Sequence, residues 1–171
     1  MRLLLFLLAL VISLPSHAAV EITNFKSGLA CTKAKQTETG TGWICQPTEE
    51  VLVTDQGVCV FNGSETPCTW IGFEFDYKGA QKGTKLHCVS QTSEPVDRGN
   101  PELLIAKDAD SQSYELELAP GSGHFFNPQY FGFTTRPKGS EFLVNTGNCK
   151  SDGRIVFAYK FKIRFATVTE Q

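Results

Sequence analysis

The stretch Trp70-Ile71-Gly72-Phe73-Glu74-Phe75-Asp76-Tyr77 decides how this chain folds. Phe73, Phe75 and Tyr77 stand at every second position, with Glu74 and Asp76 between them. Successive side chains of a β-strand point to opposite faces, so this period collects the rings on one face and the carboxylates on the other. The segment predicts a half-buried strand with an aromatic inner face and a wet outer face.

Two other runs repeat the design. Tyr114-Glu115-Leu116-Glu117-Leu118 alternates in the same way, and Phe157–Phe165 does so over a longer span. One apolar and one polar face per strand is the pattern of antiparallel sheets packed on one side. Shorter candidates are Val20–Phe25, Gly42–Cys45, Val51–Thr54, Val58–Phe61, Thr84–Ser90, Tyr130–Thr134 and Glu141–Asn145, each bounded by Gly, Pro, Asn or Asp. Many short strands separated by turn signals predict an all-β chain, an antiparallel β-sandwich with at most one short helix. The run Arg154 to Val168 exceeds an ordinary strand, so it is expected to bend, bulge or pass between sheets.

Asn100-Pro101-Glu102 has the marks of a helix start leading into Leu103–Lys107. The preferred reading is instead a hairpin that reverses at Asp108-Ala109-Asp110-Ser111 and enters the Tyr114 strand. Phe75-Asp76-Tyr77 followed by Lys82-Gly83 is echoed by Phe131-Gly132-Phe133 followed by Lys138-Gly139. The echo reads as strand, Lys-Gly turn, strand in two related halves, with Gln91 to Pro101 as a loop between them.

At the N-terminus, Arg2, the apolar run Leu3–Ile12, Pro15 and the small residues Ser16 and Ala18 read as a secretory signal peptide over residues 1–18. The apolar run is too short to cross a bilayer, and no later stretch comes close. Cys31 lies too far beyond it, behind a polar stretch, to be a lipidation site. Residues 19–171 then form one domain of ordinary size. The net charge of −2, with no basic cluster beyond the alternating Lys160, Lys162 and Arg164, argues against nucleic acid and anionic membrane as partners.

Six cysteines behind an export signal predict a disulfide framework and a periplasmic or secreted location. Cys59 and Cys68 flank the turn Asn62-Gly63-Ser64, Cys31 and Cys45 bracket a polar loop from Thr32 to Thr41, and Cys88 and Cys149 remain to join the two halves. These pairings rest on proximity along the chain. There is no Cys-x-x-Cys, and beyond residue 18 the only histidines are His87 and His124. A metal site, a thiol redox couple and a bound cofactor are therefore not expected.

Catalytic signals are thin. No Gly-x-Ser-x-Gly elbow and no phosphate-cradling loop occur. Pro120-Gly121-Ser122-Gly123-His124 reads as a turn. Glu74 with Asp76, and Glu115 with Glu117, are spaced about 6–7 Å apart along a strand, which overlaps the separation used by glycosidases. The same spacing describes any solvated strand face, and that reading is preferred.

The richest surface candidate is Gly123–Phe133, with His124, Phe125, Phe126, Tyr130 and Phe131 around Asn127-Pro128. Adjacent aromatics cannot share one face of a strand, so some are either exposed for binding or buried on a second dry face. Trp43, after the polar loop, is a second candidate. The expectation is an exported, non-catalytic module that binds another protein. A structural or adhesive subunit assembling by strand exchange and a small exported hydrolase using Glu74, Asp76 or His124 are the alternatives.

Overall fold

The computed structural model describes residues 19–31, 42–53, 57–61, 64–100, 103–132 and 141–165, with 57–61, 64–67, 97–100, 103–109 and 130–132 described by their backbone alone. Ten strands run in chain order: β1 (Glu21–Cys31), β2 (Trp43–Pro47), β3 (Glu50–Val53), β4 (Gly57–Phe61), β5 (Ser64–Ala80), β6 (Lys85–Asn100), β7 (Leu103–Glu117), β8 (Gly121–Gly132), β9 (Phe142–Ser151) and β10 (Arg154–Phe165). No helix occurs among the described residues. The signal-peptide reading of residues 1–18 lies outside them.

The strands form two sheets packed as a sandwich. In the first, β5 is central: β1 and β4 pair along one edge of it and β8 along the other, with β2 beyond β1. The second sheet runs β3-β10-β9-β6-β7, antiparallel except where β3 lies parallel to the end of β10. Ile71, Phe73, Phe75 and Tyr77 from β5 face Leu86, Leu143, Tyr159, Phe161 and Ile163 in one buried cluster. The decisive alternation of β5 thus becomes the centre of the core. Burying rings such as Phe73, Phe75 and Phe161 completely contributes about 1.5–3 kcal/mol each.

The chain differs from expectation in four places, the first being that Gln91–Asn100 belongs to β6 rather than to a loop between two halves. Leu103–Glu117 is one strand, so Leu103–Lys107 is not helical and no reversal occurs at Asp108–Ser111; Asn100 of β6 and Leu103 of β7 are register partners. β7 pairs with β6 alone among the described strands, and an edge strand open to water accommodates turn-forming residues such as Asp and Ser. The Gly-Ser-Gly and Asn127-Pro128 segments are not turns but parts of β8. Pro128 is tolerated there because, among the described strands, β8 pairs on one side only, with β5.

The fourth difference concerns the internal echo. Lys82-Gly83 does not join a hairpin: it carries the chain from β5 in the first sheet to β6 in the second. The later Lys138-Gly139 lies outside the described residues, yet β8 and β9 are divided between the sheets in the same manner. β5 pairs with β8 and β6 with β9, so the two echoed units lie side by side. β10 stays in the second sheet and relieves its length by a bulge between Ile155 and Phe157.

Two disulfides staple this frame. Cys31–Cys45 joins β1 to β2, and Cys88–Cys149 joins directly opposed residues of β6 and β9. Cys68 is disulfide-bonded as well; the Cys59 side chain expected to pair with it lies outside the described residues. Disulfides of this kind belong to an oxidising, extracytoplasmic environment.

Candidate functional site

The outer face of the first sheet, expected to be solvated, is partly covered. At its edge β2, hydrogen-bonded to β1, also lies over part of this outer face. Ile44 packs with Ala30 of β1 and Phe126 of β8, against Trp70. Gly42 permits this passage, because a Cβ there would stand 2.7 Å from the Phe126 ring and 2.6 Å from the Cys31 carbonyl oxygen.

Glu74 lies beneath this flap, only 4% exposed. Its Oε2 accepts the Ile44 backbone N–H at 2.9 Å, and its Oε1 accepts Lys26 Nζ at 3.0 Å. A buried carboxylate is tolerable only with such partners. Lys26 reaches it through a bulge in β1: Thr23 opposes Asp76 and Lys26 opposes Glu74, so three residues of β1 are spent against two of β5. Asn24 makes the bulge in the left-handed region, at φ 51°, a conformation that asparagine adopts more readily than most residues. The extra residue sends Phe25 inward to stack on Phe157 at 4.8 Å and leaves Lys26 on the outer face.

Asp76 continues the same face. It accepts Asn24 Nδ2 at 2.7 Å on Oδ2, and its Oδ1 lies 2.9 Å from His124 Nδ1. The hydrogen bonds from Asn24 and His124 hold the Asp76 carboxyl below the ordinary aspartate range. β8 places His124 directly opposite Asp76 and Phe126 opposite Glu74. With Nδ1–H donated to Asp76, the imidazole presents Nε2 toward Glu74 Oε2 at 3.8 Å, too far for a hydrogen bond.

This geometry brings His124 to the carboxylate pair Glu74 and Asp76, which the sequence had singled out apart from it. An Asp-oriented imidazole is half of a general-base arrangement. The other half, a nucleophile, is missing among the described residues: no hydroxyl or thiol hydrogen-bonds His124, whose Nε2 looks at a carboxylate already held by a lysine and an amide. No group of three His, Cys, Asp or Glu among the described residues is arranged to hold a metal ion.

The aromatic candidates divide. Phe125 points inward, half-buried, and stacks on Phe75 at 5.3 Å. Phe126 is 6% exposed in the cluster under β2. Both rings are packing elements, one on each dry face. Tyr130 and Phe131 oppose Trp70 and Thr69 in the β5–β8 register, and their side chains lie outside the described residues. His124 and Trp43 are the candidates that reach solvent, with Trp43 42% exposed. The other carboxylate pair stands on the second sheet, where Lys85 reaches Glu115 at 2.6 Å and His87 reaches it at 3.2 Å.

Sequence reasoning missed Lys26, Asn24 and the Ile44 amide. Nothing local marks them, because each acquires its role through register: the bulge selects Lys26, and the placement of β2 brings Ile44. No protein-family model matches the chain, and no curated protein is significantly similar to it.

Proposed function

We propose that this chain is an exported, non-catalytic protein-binding module, an inhibitor or adaptor acting in the periplasm or outside the cell. The observation that carries this reading is the presentation of Trp43. The residue is exposed on β2, while its neighbours tie that strand down: Ile44 is buried and bonded to Glu74, and Cys45 is bonded to Cys31. Tryptophan is the residue type most enriched among the residues that dominate protein interfaces. A side chain held on a stapled strand loses less freedom on binding than one on a loose loop.

Affinity capture from envelope extracts with the disulfide-intact domain tests this reading. One stoichiometric partner, retained by wild type and by Ile155→Ala but lost by Trp43→Ala, supports it. Ile155 is 61% exposed on the other sheet and controls for general stickiness. Equal recovery by Trp43→Ala would refute the assignment.

The hydrolase reading keeps one specific observation in its favour, the contact of His124 with Asp76 at 2.9 Å. An activity abolished by His124→Gln and retained by Trp43→Ala would establish it over the binding module. Assembly by strand exchange is the weaker alternative, since β10, the last strand described, is already paired with β9 and β3.

A further inference from the structure

We propose that the outer face of the second sheet binds an anionic polysaccharide of the uronate type, a site separate from Trp43. Lys160, Lys162 and Arg164 are exposed alternate residues of β10, whose intervening side chains Phe161 and Ile163 are fully buried. The three cations therefore project from one face, about 6.6 Å apart by strand rise. They stand within the sheet rather than on its rim, because β9 flanks all three and β3 flanks Lys162 and Arg164.

The charges of this face are unevenly matched. Glu115, on the far edge strand β7, is held by Lys85 and His87. Glu50 lies 3.8 Å from Lys162 but is itself largely in water. No carboxylate among the described residues pairs with Lys160 or with Lys150 on β9. The chain as a whole carries −2, so the stripe is a local reversal of sign.

What borders the stripe selects the class of anion. In register beside Lys160 stands Thr146, and beside Ala158 stands Asn148, both on the outer face of β9. Their neutral donors and acceptors, next to a cation, match a sugar unit that offers hydroxyls together with a carboxylate. Phe142, 36% exposed, closes the end of the stripe with Lys162 Nζ 4.6 Å from its ring centre, and supplies an apolar surface for a pyranose face. An acidic peptide offers carboxylates and amides but no hydroxyl-bearing ring to lie against Phe142. A nucleic acid would ask for several free stacking rings where this face has one.

Affinity electrophoresis of the disulfide-intact protein through gels containing polygalacturonate is the test, with polyglutamate, single-stranded DNA and neutral dextran as comparison polymers. Wild type is expected to be retarded by polygalacturonate alone, less so at high salt. Lys160→Gln/Lys162→Gln should weaken binding roughly five- to tenfold, while Lys78→Gln, on the first sheet, should not. Thr146→Ala/Asn148→Ala should weaken it and leave its salt dependence in place. Absence of retardation, equal retardation by polyglutamate, DNA or dextran, or unchanged binding by the double lysine variant would each overturn the proposal. Trp43→Ala is expected to leave polygalacturonate binding intact, so this site and the protein-binding reading can fail independently.

Discussion

The backbone N–H of Ile44 donates to Glu74 Oε2 across 2.9 Å, joining the edge strand that carries Trp43 to the central strand of its sheet. The bond explains why an acid sits at 4% exposure on a face whose sequence pattern looks solvated. Through it, the exposed tryptophan and the buried carboxylate become parts of one unit.

Removing that acceptor should be costly. Glu74→Ala leaves the Ile44 amide buried and unpaired, which costs about 1–3 kcal/mol. Glu74→Gln retains a carbonyl oxygen for the amide and should cost less. Lys26→Met leaves the buried Glu74 carboxylate without its cation and should cost at least as much as Glu74→Ala, about 1–3 kcal/mol or more. Urea unfolding under non-reducing conditions ranks the three, and a Glu74→Ala variant as stable as wild type would show that the bond does not hold β2.

Asp76 makes part of the stability depend on pH. Its carboxyl is held below the ordinary aspartate value by Asn24 first and His124 second. A carboxylate whose folded pKa is depressed adds stability above its unfolded pKa, and that contribution is lost as pH falls through the folded value. Asn24→Gly keeps the left-handed backbone but removes the hydrogen bond, so the Asp76 carboxyl should move up toward 3.8. Carboxyl NMR titration reads this directly; an unmoved Asp76 would mean that Asn24 is there only for the bulge.

How far such features were legible in the sequence depends on how local they are. The inward set Phe73, Phe75 and Tyr77 follows from alternation alone and stands in the core as expected. Burial of Glu74 does not, because the segment that covers it lies thirty residues away. One signal left the choice open: adjacent Phe125 and Phe126 meant either an exposed ring or a second dry face, and the structure has the second, under β2. The Asp108–Ser111 segment misleads for the opposite reason. Its residues are those of a turn, and an edge strand is where sheet formation restrains them least.

Cys31–Cys45 and Cys88–Cys149 should separate by exposure and by loop length. Cys45 is exposed, whereas Cys88 and Cys149 are at most 1% exposed. A water-soluble phosphine applied to the native protein should therefore open Cys31–Cys45 first, and fluorescence should report the release of Trp43. In the chain-entropy model, removing the cross-link with a separation of 61 costs about 4 kcal/mol, against about 3 kcal/mol for the one with a separation of 14. Paired Cys→Ala variants test the ranking by urea unfolding, and simultaneous reduction of both bonds in the native state would contradict the exposure argument.

Gly147 of β9 lies opposite Tyr159 of β10 on the core face, and a Cβ at Gly147 would stand 2.2 Å from Tyr159 Cζ. The Tyr159 ring thus occupies the place of the missing side chain, and its hydroxyl meets that of Tyr114 at 3.2 Å. Burial pushes the Tyr114 hydroxyl far above the ordinary tyrosine range, with Tyr159 adding to the shift, so Tyr114 stays neutral. Gly147→Ala must displace the ring and disturb the hydroxyl contact, at a cost of about 1–3 kcal/mol. If the clash is the cause, the same substitution placed on Tyr159→Leu should cost much less, giving a double-mutant coupling of about 1 kcal/mol or more. Additive effects would instead assign the loss to the β9 backbone.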